Sequence, residues 1–204
     1  MSDTPAPRIL VFAGSTRRGS HNTHLARLAA EYLERHGARV TRIDLKDYPL
    51  PLYDGDLEAA EGLPPQARRL QALLAEHQGL LIASPEYNGF PTPLLKNTLD
   101  WMTRPDGERS GLALFADKVA AVVAASPGAL GGMRSLGLTR QLLGNLGVMV
   151  LPNPLALPRA AQAFGEDGDL EDAAVRQRLD SLCRRLASTL NRLHPADDTT
   201  GESP

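Results

Sequence analysis

Apolar residues along this chain fall into two patterns that alternate. Short apolar runs lie at 9–13, 40–45, 80–83, 118–125 and 148–151. Their length is typical of strands that are buried on both faces of a parallel sheet. Between them, apolar residues recur at helical spacing over 23–36, 65–77, 92–102, 135–146 and 169–193. This alternation predicts an α/β fold, in which a parallel sheet is covered by helices on both faces.

Turn-forming residues support these boundaries. Gly37 stands where the first helix should end, and Thr92-Pro93 is typical of an N-cap followed by the first helical residue. The segment 47–65 is rich in Pro, Gly and Asp and is predicted to be a long loop, which in a compact domain is more often functional than accidental. We expect a single domain over 1–193 and a polar, mobile tail over 194–204.

The composition argues against several classes of function. The 204-residue chain has a formal net charge of −2 and no basic run, so no nucleic-acid partner is expected. Its one cysteine, Cys183, cannot form an internal disulfide or a multi-thiolate metal site, and its helical neighbours favour a packed hydrophobe. The start of the chain lacks a signal-peptide pattern, and no apolar stretch reaches the roughly 18 residues of a membrane span. We therefore expect a cytoplasmic protein with no membrane contact.

Polar loops follow the first, third and fourth predicted strands and would meet at one edge of the sheet, where ligands of such folds bind. The first loop, 14–22, joins a strand to a helix N-terminus, where free N–H groups and the helix dipole favour an anion. Its hydroxyl and guanidinium groups suit a phosphate. It lacks the Lys of a P-loop and the pattern GxGxxG. The alternative is a polar helix start that Ser20 merely caps.

The second loop, 84–89, reads Ser-Pro-Glu-Tyr-Asn-Gly. Backbone N–H groups over 86–88 would suit the polar edge of a flat heteroaromatic ring, and Tyr87 offers an aromatic face. The alternative is an ordinary strand-to-helix turn in which Tyr87 and Phe90 simply pack.

Together the two loops are similar to those of the NADPH-dependent FMN reductase family. The resemblance rests on GSTRRGSHN at 14–22, which matches the pattern GSxRxxSxN, and on SPEYNG at 84–89. Supporting matches are LKN at 95–97, LDW at 99–101 and SPGALGGMR at 126–134. The resemblance covers about residues 8–155. It implies a flavodoxin-like, doubly wound five-stranded parallel sheet with FMN as cofactor and NADPH or NADH as co-substrate.

The resemblance also implies a set of site residues. The FMN phosphate would be held by Ser15, Arg17, Ser20 and Asn22. The ribityl chain and the isoalloxazine edge would be lined by Pro85, Glu86, Tyr87, Asn88 and Gly89, and the ring would be bordered by Ser126 and Gly128. Pro127 departs from the more Gly-rich third loop of relatives and removes one backbone donor. No catalytic acid or base is implied, because quinone reduction can draw its protons from water.

The implied reaction passes a hydride from NAD(P)H through FMN to a small acceptor, which in relatives is a quinone, azo dye, flavin or oxyanion. The implied assembly is a homodimer or homotetramer, with Trp101 and Met102 in a subunit contact, although their apolar neighbours also allow a place in the core. One alternative is a flavodoxin-type electron carrier without its own substrate, against which the near-neutral charge argues. Another is a regulatory or structural protein that has lost the flavin.

His21 and His24 lie three apart without an accompanying Cys or carboxylate, which favours a surface role over a metal site.

Overall fold

A parallel sheet forms the centre of the computed structural model, which describes residues 6–194. Except for His194, the tail expected over 194–204 lies outside the described residues. The strands are β1 (Arg8–Ala13), β2 (Arg39–Arg42), β3 (Gly79–Ala83), β4 (Glu86–Tyr87), β5 (Phe90–Pro91), β6 (Val119–Ala125), β7 (Met149–Val150) and β8 (Leu155–Leu157). The α-helices are α1 (His21–Arg35), α2 (Gly55–Glu61), α3 (Pro65–Glu76), α4 (Pro93–Thr103), α5 (Met133–Asn145) and α6 (Ala173–Leu193).

The strand order is β2-β1-β3-β6-β7, and all neighbours in this order are parallel. β7 pairs only with the start of β6, and β8 pairs with its end, again in parallel. Pro152 and Pro154 lie between β7 and β8, and proline interrupts a ladder because it has no N–H to donate. The expected doubly wound parallel sheet is confirmed. Its fifth position, however, is divided between two short strands, and the apolar pattern predicts only the first of them.

The two faces of the sheet explain the uninterrupted apolar runs. In β1, Ile9 and Val11 belong to the core formed with α1 and α6, whereas Leu10 and Phe12 belong to the core formed with α3, α4 and α5. Successive side chains of a strand point to opposite faces, so a strand covered on both sides is apolar at every position. Helices therefore cover both faces, as expected.

The segment predicted as a long loop over 47–65 contains a helix, and this prediction was incomplete. The carboxylate of Asp54 accepts the N–H of Asp56 at 2.8 Å and so caps α2. No residue of α2 is buried. The helix therefore lacks the apolar face whose periodicity would have revealed it in the sequence.

This segment covers Trp101, whose indole Nε1–H donates to the carbonyl of Pro51 at 2.8 Å. The ring of Tyr53 meets the indole edge-on at 5.1 Å between centroids. Trp101 and Met102 are fully buried within this chain. Their place in the core is confirmed. The implied subunit contact through these two side chains was wrong, because their own chain already covers them.

Candidate functional site

Three loops meet at the carboxyl ends of neighbouring strands, and the sheet ladder continues into the first two. After β1, the N–H of Gly14 donates to Ala83 at 2.9 Å, and after β3, the N–H of Ser84 donates to Val123 at 2.8 Å. The helix that follows β1 packs on one face of the sheet and the helix that follows β3 packs on the other. A crevice opens at such a switch point, which makes this edge the candidate site.

The first loop leads into the N-terminus of α1. The hydroxyl of Ser20 accepts the N–H of Thr23 at 3.3 Å, so Ser20 is the N-cap. Within residues 6–194, the backbone N–H groups of His21 and Asn22 have no hydrogen-bond partner, and the first turn carries no acidic residue. The positive end of this helix is therefore free to meet an anion.

Ser15 and Arg17 shape the entrance to that helix. The hydroxyl of Ser15 accepts the N–H of Arg17 at 3.3 Å, which folds the loop into a tight turn. The Arg17 side chain is exposed, and its guanidinium donates to the carbonyl of Arg18 at 3.3 Å. A guanidinium at this point adds charge-assisted donors beside the free helix N-terminus.

The side chain of Asn22 joins the first loop to the third. Its amide Nδ2 donates to the carbonyl of Ala125 at 2.7 Å, while its Oδ1 accepts the N–H of the same residue at 2.9 Å. Asn22 is buried. Because both polar ends of its side chain are used by Ala125, we assign Asn22 the role of holding the two loops together rather than meeting a phosphate with its amide.

Gly14 lies where the first loop and α4 approach most closely. The hydroxyl of Thr92, the N-cap of α4, donates to the carbonyl of Gly14 at 2.7 Å and accepts the N–H of Leu95 at 3.2 Å. A Cβ added to Gly14 would lie 2.8 Å from the Cβ of Leu95, nearer than such atoms approach in real proteins. Only glycine therefore permits this packing of the loop against the helix.

The second loop is a β-hairpin, an element that was not predicted from the sequence. Tyr87 pairs with Phe90 across β4 and β5, and Asn88 and Gly89 form the two-residue turn with φ of 53° and 88°. Asn-Gly between strand-forming residues is a strong local signal for such a turn, so this element was available from the sequence. Tyr87 and Phe90 are 57% and 62% exposed. The hairpin thus offers two aromatic side chains to solvent at this edge.

Glu86 begins the hairpin, and its carboxylate is directed to α5. It accepts the N–H of Ser135 at 3.1 Å and the Nε–H of Arg134 at 2.9 Å, and a second guanidinium nitrogen of Arg134 also donates to it. Burial alone would raise the pKa of Glu86, but these hydrogen bonds and the charge of Arg134 hold it below its usual value. Glu86 supplies the cap that Gly132, the N-cap residue of α5, cannot provide because it has no side chain.

Buried hydroxyl groups fix the start of the second loop. Ser84 Oγ lies 3.0 Å from Ser135 Oγ and 2.8 Å from Thr139 Oγ1. Ser135 donates its hydroxyl to the carbonyl of Pro85 at 3.0 Å. All three hydroxyl residues are buried. Because buried polar groups are costly unless they are paired, this network ties the strand end firmly to α5.

The third loop is held in place by glycines and by β8. The hydroxyl of Ser126 accepts the N–H of Gly128 at 3.3 Å, and the N–H of Ser126 donates to Leu157 at 3.1 Å. Gly131 and Gly132 have φ of 62° and 88°. A Cβ at Gly131 would lie 2.6 Å from the backbone nitrogen of Pro158, and one at Gly132 would lie 2.7 Å from the Cβ of Ala124. The glycine pair is required by close approach as well as by backbone conformation.

The remaining candidates lie beside or away from this edge. The Nε2 of His24 lies 2.7 Å from the carbonyl of Gly168, and its ring stacks on Phe164 at 4.1 Å. Burial and the nearby positive charge of Arg17 lower the pKa of His21.

Within the described part of the chain, no group of acidic, His and Cys side chains could hold a metal ion. Cys183 is fully buried, which confirms its packing role and raises the pKa of its thiol.

Comparisons with known proteins identify what the chain is similar to. The family model for NADPH-dependent FMN reductase matches residues 7–162. The probable NADPH:quinone oxidoreductase 2 of Oryza sativa subsp. japonica is 36% identical over 193 residues, which cover 92% of this chain and 91% of that protein. The NAD(P)H-dependent FMN reductase of Pseudomonas aeruginosa is 33% identical over 187 residues, which cover 91% of this chain and 96% of that protein.

A solved structure extends the likeness to the fold. The flavoenzyme NAD(P)H:(acceptor) oxidoreductase of Paracoccus denitrificans matches with a TM-score of 0.77 and 26% sequence identity, and the match covers 93% of this chain and 99% of that one. In the part of the chain that the structure describes, no helix combines the length and the apolar composition that a membrane crossing requires.

Proposed function

The chain belongs to the NADPH-dependent FMN reductase family, and on this premise we propose that it is an FMN-dependent NAD(P)H oxidoreductase that reduces small acceptors such as quinones. The observation that carries this proposal is the pairing of two features at one sheet edge. These features are the two free backbone N–H groups at the positive end of α1 and the hairpin at 86–91 with its exposed aromatic residues. Together they suit a ligand with an anionic end and a flat ring.

The donor groups of the first loop fit a phosphate. We propose that the FMN phosphate is held by Ser15, Arg17 and Ser20 together with the backbone N–H groups of His21 and Asn22. The starts of the other two helices at this edge offer less to an anion. The first residue of α4 is Pro93, which has no N–H, and Thr92 takes the N–H of Leu95, while the carboxylate of Glu86 already occupies the start of α5. Ser20 takes only the N–H of Thr23, so the start of α1 leaves the N–H groups of His21 and Asn22 for an external anion.

The second and third loops fit the remainder of the cofactor. We propose that the backbone over 85–89 lines the ribityl chain and the ring edge, with Tyr87 against the ring, and that Ser126 and Gly128 border it. The side chain of Glu86 contributes to the proposed site indirectly, because it fixes the hairpin to α5. Bound FMN supplies the hydride chemistry, and the protein supplies binding and orientation. We assign no catalytic acid or base and place Tyr87 as a positioning residue.

We further propose a cytoplasmic homodimer or homotetramer. Large apolar side chains lie exposed near the site, on the hairpin and around the start of α5, and monomeric proteins rarely leave contiguous apolar patches uncovered. These side chains are Tyr87, Phe90, Leu130 and Met133, all at least half exposed. A second subunit seated on them would also exclude water from the flavin crevice.

The experiment is a visible spectrum and cofactor extraction on the purified protein, followed by NADPH oxidation with a benzoquinone. We expect the paired bands of a flavin, FMN in the extract, and quinone-dependent NADPH oxidation that stops when the FMN is removed. Bound FMN without NADPH oxidation would favour the electron-carrier alternative. Failure to bind added FMN would favour a protein that has kept the fold and lost the flavin.

A further inference from the structure

A cavity lies at the edge of the sheet, between α6 and the segment that joins β7 to β8. It has a volume of about 480 Å³ and is lined by residues 152–155 and by one face of α6. This volume falls in the range of about 300 to 1,000 Å³ that is typical of small-molecule sites. Its lining, as residues 6–194 form it, includes no member of the three loops of the proposed flavin site. The cavity is therefore a separate place on the molecule.

The cavity exists because the fifth position of the sheet is divided between two strands. β6 pairs with β7 up to Ala120 and with β8 from Val123 onwards. In the segment between β7 and β8, Pro152 and Pro154 have no N–H to donate to the ladder, and Asn153 has a φ of 61°. The chain leaves the ladder over these three residues, and the cavity opens between them and α6.

Part of the cavity lining is apolar. Leu155 and Leu182 are buried members of the core beneath α6, and they form the floor of the cavity. Pro152 and Pro154 line the wall that the segment between β7 and β8 provides. Such surfaces favour a ligand with an apolar body, because contact with it removes both surfaces from water.

Two arginines of α6 give the same cavity a positive charge. Arg178 and Arg185 are seven positions apart, so they lie on one face of the helix, about 10 Å apart along its axis, with Ser181 between them. Within residues 6–194, no carboxylate lies within 4.0 Å of the guanidinium nitrogens of either arginine. Asp180, the single carboxylate that α6 carries over 173–193, pairs with His36 at 2.8 Å. Both guanidiniums are thus available to an external anion.

We propose that this cavity binds a small organic dianion, a planar apolar molecule with a carboxylate at each end. Guanidinium groups match carboxylates with paired, charge-assisted hydrogen bonds. Because Arg178 and Arg185 are two helical turns apart, two separate carboxylates match them better than one compact anion does. The apolar body then lies over the leucine floor and against the proline wall. This site does not involve the flavin, so it is independent of the proposed reductase function.

The test is calorimetry on the full-length protein with naphthalene-2,6-dicarboxylate as the probe, with and without saturating FMN. We expect one site per chain under both conditions, and binding about tenfold or more tighter than that of naphthalene-2-carboxylate, since a second charge-assisted contact is typically worth that factor. The double variant Arg178→Gln/Arg185→Gln should lose this advantage. The control Arg184→Gln/Arg192→Gln removes the same charge from exposed positions of α6 outside the cavity lining and should bind as the wild type does.

A second variant fills the cavity and keeps its charges. Ser181→Trp places a large side chain between the two arginines and should abolish binding of the dicarboxylate, with the far-UV circular dichroism of the wild type retained. Arg17→Ala, in the proposed phosphate loop, should leave probe binding unchanged, which distinguishes this cavity from the flavin crevice.

Three results would overturn the proposal. The first is equal binding of the monocarboxylate and the dicarboxylate by the wild type. The second is an equal loss of affinity in Arg178→Gln/Arg185→Gln and in its control, which would indicate a general effect of charge. The third is absence of probe binding by the wild type together with an altered sedimentation coefficient of Arg178→Gln/Arg185→Gln, which would assign this face to a contact between subunits. Absence of FMN binding or of NADPH oxidation would instead bear on the reductase function alone, because the probe is measured without FMN as well.

Discussion

The carboxylate of Glu86 accepts the backbone N–H of Ser135, 49 positions later in the chain, at 3.1 Å. This bond caps α5 from outside the helix and fixes the start of the hairpin at the same time. Arg134 donates to the same carboxylate, so the hairpin is held to α5 by charge-assisted hydrogen bonds. The geometry of the proposed flavin site therefore depends on a side chain that is already bonded to α5.

Glu86→Gln keeps the size of the side chain and removes its charge. We expect it to lower the free energy of unfolding by about 1.5 to 3 kcal/mol, the usual worth of hydrogen bonds to a charged group, because the Glu86 side chain is 8% exposed. Urea unfolding measures this change. The matched control is Asp100→Asn, which breaks the exposed pair with Lys96 and should cost about 1 kcal/mol or less. Equal losses in the two variants would contradict the capping role of Glu86.

The substitutions Gly132→Ala and Gly137→Ala are expected to change the free energy of unfolding in opposite directions. At Gly132 the new Cβ would lie 2.7 Å from the Cβ of Ala124, at φ of 88°, so we expect a loss of about 1 to 3 kcal/mol in unfolding free energy. At Gly137, inside the helix and exposed, the Cβ meets nothing within 4 Å, and we expect a gain of about 1 kcal/mol. Thermal unfolding of both variants measures these changes. A change of the same sign in both variants would contradict the prediction.

Arg17→Ala tests the proposed phosphate loop. We expect FMN affinity to fall by about 1.5 to 3 kcal/mol, or roughly tenfold to 150-fold, because a charge-assisted contact to the phosphate is removed. Fluorescence titration of the apoprotein with FMN measures it. Riboflavin, which lacks the phosphate, should bind both proteins equally, and Arg184→Ala on the exposed face of α6 should leave FMN affinity unchanged. Unchanged FMN affinity in Arg17→Ala would refute the phosphate contact.

His77 makes the stability of the fold depend on pH. Its Nδ1–H donates to the carbonyl of Leu73 at 2.6 Å, its Nε2 accepts the hydroxyl of Thr41 at 2.7 Å, and the ring is buried in its neutral form. Burial lowers the pKa of His77 below its ordinary value of 6.5. Below pH 6.5 the unfolded state therefore binds more protons than the folded state, so stability is lost as the pH falls.

We expect the urea midpoint to drop between pH 7.5 and pH 5.5, and His77→Gln to show a smaller drop over the same range. Part of the decline should remain in the variant, because burial and Arg17 also lower the pKa of His21. The comparison uses the change with pH rather than the absolute midpoint, since the substitution also alters packing. A drop of equal size in both proteins would assign the pH dependence to other groups.

Two local elements were not predicted from the sequence, for different reasons. Asn88-Gly89 is a hairpin signal that can be read without any distant contact, because both residues adopt positive φ. The helix α2 is a different case, since it has no buried residue and so leaves no apolar period to detect. The first omission was one of turn chemistry, and the second reflects a helix held by its cap and by the ion pair of Glu58 with Arg104.

The sequence by itself determined the sheet, most of the helices that cover it, and the edge where the polar loops meet, because apolar periodicity and turn residues act over a few positions. Only the tertiary structure decided which side chains of the first two loops are free. Asn22 is used by Ala125, 103 positions away, and Glu86 by Ser135, while the N-terminus of α1 stays open. Such partners are chosen by the packing of distant segments, and no local pattern records which N–H or carboxylate that packing will satisfy.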